Sequence, residues 1–505
     1  MNQRKAGAVL SYISMGINSI IGFIYIPVLL VFLSKEQYGL YQLVASMIGY
    51  LMIMDFGLSN TTTRYYSQYM AKNDEIKKQN LLAITIILYS FVALCIIIIG
   101  LIGLNYIIPL YIKTLSSYEL ETAKQIFVIM LVNIAIVIPG NIFVAVINSH
   151  EKFIFARSLN ISNIIIQPIL VFIVLNFNPS ILSLVLIQTF CNIVVVCINI
   201  YYCFCKLKIK IKLYFWDNKF IRELLIFSFF IFLPGIISIA YWKTGQIILG
   251  ALIGTGAVAV YAIAIQFITV FMSFSTAISG VFLPQISAIS AKTGDMDQIN
   301  NIFVKTGRIQ FLIMSLILSG FILYGKQFII LWIGYSFVDA YIYALILMSG
   351  LFICLVQGVG VPILQAKNKH IFRSIVYFFL GIINICVSIP MAKKYGGLGC
   401  AVTTGICLFV GQTVIMNLYF NKIGVNIVHF FKQIISMAVP VFCVFILGYL
   451  ANIFFVSNLI SIFIIKICIF TILFMSAVWK FAMNDYEKNL VLKPLLSFLK
   501  EVKII

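Results

Sequence analysis

Three ionisable side chains interrupt long apolar runs and so could do chemistry at membrane depth: Asp55, Lys243 and Lys466. A lysine near a bilayer centre costs about 2.5–3.5 kcal/mol on insertion scales, so an unpaired one facing lipid is disfavoured. Each such charge marks a polar pathway or a long side chain snorkelling to the interface. What these residues offer is reversible charge pairing, with an anion for the lysines and a cation for Asp55. His150, His370 and His429 are the three histidines and all fall in polar connections, which argues against an intramembrane proton relay or a membrane acyltransferase centre. The 11 cysteines contain no Cys-x-x-Cys pair and read as small apolar packing residues, with no metal site expected. Cys203-x-Cys205, at an inner helix end, is the one spacing that could take a lipid or a metal.

The elements that position these charges are membrane spans. Of 505 residues, 62% are hydrophobic and 10% charged, and the mean hydropathy is +1.09. A soluble globular chain has about 45–50% apolar and about 25% charged residues, so a soluble fold is excluded. At roughly 30 residues per span and loop, the length holds on the order of 14 to 16 helices and no sizeable soluble domain. Apolar runs and their polar breaks predict fourteen spans, approximately 9–33, 39–60, 81–105, 125–147, 158–177, 181–203, 224–249, 256–280, 309–325, 341–364, 374–391, 398–420, 433–454 and 460–482. The runs do not alternate apolar with polar, which excludes an outer-membrane barrel. The first run is too long for a cleavable signal peptide and lacks a small-residue cleavage pattern after it. The longest outer loop is expected to be about twenty residues, around Tyr111 to Lys124.

Orientation follows from the basic residues. Of the 35 Lys and Arg, 27 fall on connections of the N-terminal side and 6 on the opposite side (Lys35, Lys113, Lys124, Lys326, Lys393, Lys394), with Lys243 and Lys466 inside spans. Both termini are therefore expected in the cytoplasm. The net charge of +20 is a property of inner loops facing anionic lipid, so nucleic acid is not an expected partner.

The chain also repeats. A shift of 220 residues aligns 32–80 with 252–300 without a gap, placing Tyr41 on Tyr261, Met52 on Met272, Ser59 on Ser279 and Asn80 on Asn300. Leu110-Tyr111-Ile112 meets Leu331-Trp332-Ile333 at an offset of 221, and Lys152-Phe153-Ile154-Phe155 meets Lys369-His370-Ile371-Phe372 at 217. An even number of helices per copy gives parallel repeats that enclose a cavity and rock to give alternating access. The expected organisation is a six-helix N-terminal lobe (1–205), a basic cytoplasmic linker (206–223), a six-helix C-terminal lobe (224–425), two appended helices (426–483) and an amphipathic cytoplasmic tail (484–505). In the linker, Lys206, Lys208, Lys210 and Lys212 alternate with apolar residues, as in an interfacial strap on anionic lipid. In the tail, Leu492, Leu495, Leu499 and Val502 keep helical spacing.

Ser34-Lys35-Glu36-Gln37-Tyr38-Gly39-Leu40-Tyr41, then Asp55-Phe56-Gly57-Leu58-Ser59 and Arg64-Tyr65, resemble the first loop and second helix of the polysaccharide-biosynthesis flippases. These are the O-antigen and capsule repeat-unit transporters of the multidrug/oligosaccharidyl-lipid/polysaccharide exporter superfamily. Gln246 to Gly250, Gly254, Ala257-Val258 and Tyr261-Ala262 resemble the family's seventh and eighth helices, and Lys394 to Gly399 its loop before the twelfth. The resemblance implies an all-α, two-lobed fold like that of the multidrug and toxin extruders, in a bacterial inner membrane. It also implies transport, without a cofactor, of an undecaprenyl-diphosphate-linked oligosaccharide from the inner to the outer leaflet, with membrane lipids and polysaccharide assembly proteins as partners. One departure stands out: many relatives carry an acidic–basic pair just before the Ile-Ile-Leu-Gly run, where this chain has Gly245-Gln246, with Lys243 two residues earlier.

A cationic, water-filled cavity is what such a substrate needs, and the charges and tyrosines within or beside the spans are the candidates to line it. Lys243 either contacts the diphosphate or glycan, or snorkels at the outer end of the seventh helix, with Pro234-Gly235 permitting a bend two turns earlier. Asp55 pairs with a cavity cation or coupling ion, or is held locally by Ser59 or an inner-loop arginine. Arg64 stands near the cytoplasmic mouth, as a first contact for the diphosphate or as a plain orienting charge. Lys466 belongs to the appended helices, which would line a lipid groove. Tyr25 and Tyr241 are among the tyrosines placed to stack on sugar rings. A drug or cation antiporter of the same superfamily is the alternative, weakened by Asp55 being the lone intramembrane carboxylate. A polysaccharide polymerase or glycosyltransferase would need a large outer loop that this chain lacks.

Overall fold

The computed structural model describes residues 3–292, 295–367, 369–454, 459–490 and 492, and no strand occurs among them. In hydrocarbon every backbone N–H and C=O must be satisfied within the segment, so apolar runs of this length can only be helices. Helix starts fall where short polar side chains can cap them. Ser34 and Ser116 each close a capping box, with Gln37 and Glu119, and Asp74, Ser180 and Asp217 accept from the first turn of their helices.

The chain divides into two compact units, residues 1–263 with 381–400, and 264–380 with 401–505. The first contains α1 (Gln3–Phe32), α2 (Lys35–Met52), α3 (Leu58–Ala71), α4 (Glu75–Ile107), α5 (Ser117–Ser149), α6 (Phe153–Phe177), α7 (Ile181–Tyr201), α8 (Asn218–Trp242) and α9 (Thr244–Leu252). Within it α5 packs against α2, α3, α4 and α7, and α1 packs on α6. The chain continues with α10 (Thr255–Lys292), α11 (Met296–Ile333), α12 (Asp339–Val356), α13 (Gly360–Ala366), α14 (His370–Leu408), α15 (Met416–Lys422), α16 (Ile427–Phe454) and α17 (Ile460–Phe481). In the second unit α11 is the central helix, packed against α12, α16 and α17.

Twelve segments among the described residues are long and apolar enough to cross a membrane. One of them, His370–Lys422, is 53 residues long and breaks at Gly396, whose φ of 62° and ψ of −139° lie outside the helical region and favour glycine. That break falls where the sequence predicts one span to end at 391 and the next to begin at 398. The predicted span 224–249 corresponds to α8 and α9, which part at Lys243. The outer loop expected around Tyr111 to Lys124 is shorter than anticipated: helical turns run to Tyr111 and α5 starts at Ser117. The Ser116–Glu119 capping box pulls that polar stretch into the helix.

The linker after α7 is extended. Tyr214 and Phe215 donate their backbone N–H groups to Asn80 Oδ1 at 2.8 and 3.2 Å, fastening it to the start of α4. Residues 485–490 are helical, and of the predicted tail 491 and 493–505 lie outside the described residues.

Candidate functional site

Asp55 sits at a break in a membrane segment. α2 ends at Met52, one tight turn covers Ile53–Asp55, and Phe56 and Gly57 take left-handed conformations (φ 49° and 67°) before α3 restarts at Leu58. Glycine adopts that conformation at no steric cost, which is the physical reason for the Asp-Phe-Gly sequence here. The half-buried carboxylate accepts from Tyr89 Oη at 2.9 Å and, at the long limit of 3.5 Å, from Asn141 Nδ2. Its partners are thus on α4 and α5. Neither Ser59 nor an arginine holds it: the Ser59 hydroxyl donates instead to the Asn141 carbonyl at 3.3 Å.

Lys243 also stands at a break. α8 is continuous through Pro234 and Gly235, where a bend was anticipated, and the helix parts at Lys243 itself (φ −112°, ψ −28°). The cause is tertiary. Gln246 hydrogen-bonds Ser46, Thr244 bonds Tyr50, Tyr111 donates to the Ile247 carbonyl at 3.2 Å, and Thr114 donates to the Gly250 carbonyl at 2.8 Å. These bonds hold α9 on α2 and on the turn after α4. The Lys243 stem lies over Gly49 of α2, its Cγ 3.7 Å from where a Cβ would be. Lys243 is half-buried, and its ammonium has no hydrogen bond or ion pair among the described residues. Gln246 is 1% exposed and neutral, its amide oxygen accepting from the Ser46 hydroxyl.

The remaining candidates are dispersed. Tyr241 is buried just before the Lys243 break. Arg64 is exposed, its guanidinium carbon 5.8 Å from the centre of the Tyr65 ring. Lys466 lies in the second unit and donates to Asn452 Oδ1 at 3.1 Å, while Asn452 Nδ2 donates to the Leu323 carbonyl at 3.1 Å. It therefore ties α17 to α16 and α11. The Tyr25 hydroxyl of α1 is buried, with Tyr41 and Gln188 beside it.

A reading based on charge passed over a polar cavity of the first unit. Asp55, Tyr41, Asn133, Asn141, Gln167, Gln188 and Asn192 line a cavity of about 460 Å³ within it. Tyr41 Oη donates to Gln188 Oε1 at 3.0 Å, Asn133 to Thr189 at 3.0 Å, and Asn192 to Asn133 at 3.3 Å. The available signal was the recurrence of carboxamides inside the apolar runs of α5, α6 and α7.

The second unit carries a related hydrogen-bonded triad. Shifted by 220, 221 and 217 residues, Asp55, Tyr89 and Asn141 fall on Ser275, Gln310 and Gly358. Gln310 Nε2 donates to the Ser275 carbonyl at 3.1 Å and to its hydroxyl at 3.3 Å, and the Gly358 N–H donates to Gln310 Oε1 at 3.1 Å. The carboxylate of one repeat is thus replaced by a hydroxyl in the other.

An all-helical, multi-pass chain with broken helices and intramembrane charge has the multidrug/oligosaccharidyl-lipid/polysaccharide transporter fold. The solved lipid II flippase MurJ, in an inward closed conformation, superposes with a TM-score of 0.75 at 17% identity, over 97% of this chain and 100% of that one. An inward-facing multidrug resistance MATE transporter gives 0.64 at 13% identity over 81% and 94%, and a Pyrococcus furiosus transporter of the superfamily 0.57 at 15% over 84% and 97%. No curated protein sequence matches. The polysaccharide biosynthesis protein family matches residues 5–290, more than half of the chain, and the chain belongs to that family.

Proposed function

We propose that this protein is a flippase that moves a polyprenyl-diphosphate-linked oligosaccharide repeat unit from the inner to the outer leaflet of a bacterial plasma membrane. The route is alternating access, both termini are cytoplasmic, and the product feeds O-antigen, lipopolysaccharide or a related surface polysaccharide. The observation that carries the reading is Lys243: a half-buried ammonium at a helix break, bonded to no carboxylate among the described residues, in a member of a polysaccharide biosynthesis family. Such a charge is costly inside a membrane protein unless a mobile anion or water meets it, and a diphosphate is that anion. A lipid II flippase of the same fold is in keeping with a lipid-linked cargo.

The test is reconstitution in proteoliposomes with a polyprenyl-diphosphate oligosaccharide, following the exposure of its sugars to a membrane-impermeant oxidant. Protein-dependent exchange between leaflets is expected. Absence of exchange together with ion-gradient-driven dye efflux would replace this reading with drug or cation antiport.

A further inference from the structure

We propose that the cavity of the first unit is a sugar-binding subsite, which takes an uncharged pyranose of the carried glycan on side-chain amides and excludes the diphosphate. The proposal rests on the transport reading and adds to it how the cargo is recognised.

The cavity's volume, about 460 Å³, lies within the range of about 300–1,000 Å³ usual for small-molecule sites. Its charge selects the ligand. Neither lysine nor arginine lines it, and its one formal charge is the Asp55 carboxylate. A diphosphate there would face a like charge across a poorly screened interior. A cation would have to compete with Tyr89 for Asp55 Oδ1, the oxygen that also accepts from Asn141. A neutral polyhydroxylated ring meets neither penalty.

The hydrogen-bonding capacity left over matches such a ring. A carboxamide offers two donors and an acceptor with two lone pairs. The Gln167 side chain makes no hydrogen bond among the described residues, and Gln188 accepts from Tyr41 with its oxygen and has the Tyr25 hydroxyl beside its amide. Asn192 spends a donor on Asn133 and keeps its own oxygen. Gln167, Gln188 and Asn192 are half-buried on α6 and α7 and line one cavity, so a ligand entering it meets several amides at once. Sugar hydroxyls both donate and accept. The apolar wall of Met130, Ile134 and Val137 suits the C–H face of a pyranose.

The test uses the full-length protein in nanodiscs, titrated with free hexoses and N-acetylhexosamines at millimolar concentration and read by the thermal unfolding midpoint. At least one sugar is expected to raise the midpoint saturably. Gln167→Leu and Gln188→Leu should each weaken its apparent affinity about five- to tenfold. Gln167→Leu removes no hydrogen bond to protein, so a loss there cannot be assigned to misfolding. In proteoliposomes the same variant should slow exchange of the glycosylated lipid at least fivefold and leave bare polyprenyl diphosphate unaffected. Saturable sugar binding that both variants leave unchanged, no saturation by any sugar, or equal loss for glycosylated and bare lipid overturns the proposal. Sugar binding lost in the variants, from a protein that exchanges no lipid, would sink the flippase reading and uphold the subsite.

Discussion

Arg308 of α11 and Glu487, beyond α17, form a buried two-point ion pair, Nε to Oε1 at 2.5 Å and Nη2 to Oε2 at 3.0 Å. Their side chains are 8% and 2% exposed. The guanidinium also donates to the Ala482 carbonyl at 2.9 Å and to Gln433 Oε1 at 3.3 Å, and Asn484 and Glu487 cap one another. The segment after the last span is thus part of the packed second unit. Removing one partner of a buried pair costs about 3–5 kcal/mol, because the other charge stays buried and unmet, whereas removing both is far milder. Glu487→Ala should therefore lower the thermal unfolding midpoint sharply, and Arg308→Met with Glu487→Leu should recover most of it. A single variant as stable as the wild type would show that the pair contributes little.

Lys243→Ala should leave membrane insertion and the unfolding midpoint near wild type, since the lysine has no protein partner among the described residues. Transport should fall roughly tenfold to a hundredfold, the size of a lost charge-assisted hydrogen bond of about 1.5–3 kcal/mol. Unchanged lipid exchange in proteoliposomes would remove Lys243 from the cargo path.

The all-helical membrane character, most of the spans and the odd charges Asp55 and Lys243 were legible in the sequence, because apolar length and isolated charge are local signals. The break at Lys243 was not. Nothing in Tyr241-Trp242-Lys243-Thr244 forbids a helix, and the interruption comes from Gln246 and Thr244 bonding Ser46 and Tyr50, some 200 residues away. The amide cavity was hidden for a similar reason: Asn133, Gln167 and Gln188 come from separate helices, and carboxamides are too common in membrane segments to stand out singly. The Arg308–Glu487 pair joins positions that positive-inside counting treats as two unrelated loop residues.

Tyr89 tests how the Asp55 break is held. Tyr89→Phe removes the 2.9 Å donor to the carboxylate and keeps the ring. A hydrogen bond to a charged group is worth about 1.5–3 kcal/mol, so the unfolding midpoint should drop measurably. Combining Tyr89→Phe with Asp55→Asn should cost less than the sum of the two, which a double-mutant cycle reads directly. Strict additivity would mean that the two side chains are not coupled.

Gly39 belongs to the Tyr-Gly-Leu-Tyr stretch of α2, and its need is steric. A Cβ there would lie 1.9 Å from the Thr255 carbonyl oxygen and 2.6 Å from its carbon, both backbone atoms at the start of α10. Backbone cannot rotate away as a side chain can, so Gly39→Ala should destabilise by about 1–3 kcal/mol. Gly16→Ala, with nothing within 4 Å of its Cβ, is the matched control and should be neutral or better. Equal midpoints for the two variants would refute the close approach.

His150 closes α5 outside the membrane spans, with its Nε2 3.3 Å from the Tyr66 hydroxyl. Burial, reinforced by Lys78 and Lys152 and opposed by Glu75, pushes its pKa below the ordinary 6.5. The folded protein thus keeps the imidazole neutral where the unfolded chain would protonate it. By linkage the associated stability is fully present above the unfolded value and drains away as the pH falls from there through the folded value. The wild-type unfolding midpoint should therefore decline as the pH falls below about 6.5, and His150→Gln, which cannot titrate, should decline less over the same range. Parallel curves for the two proteins would place the acid sensitivity elsewhere.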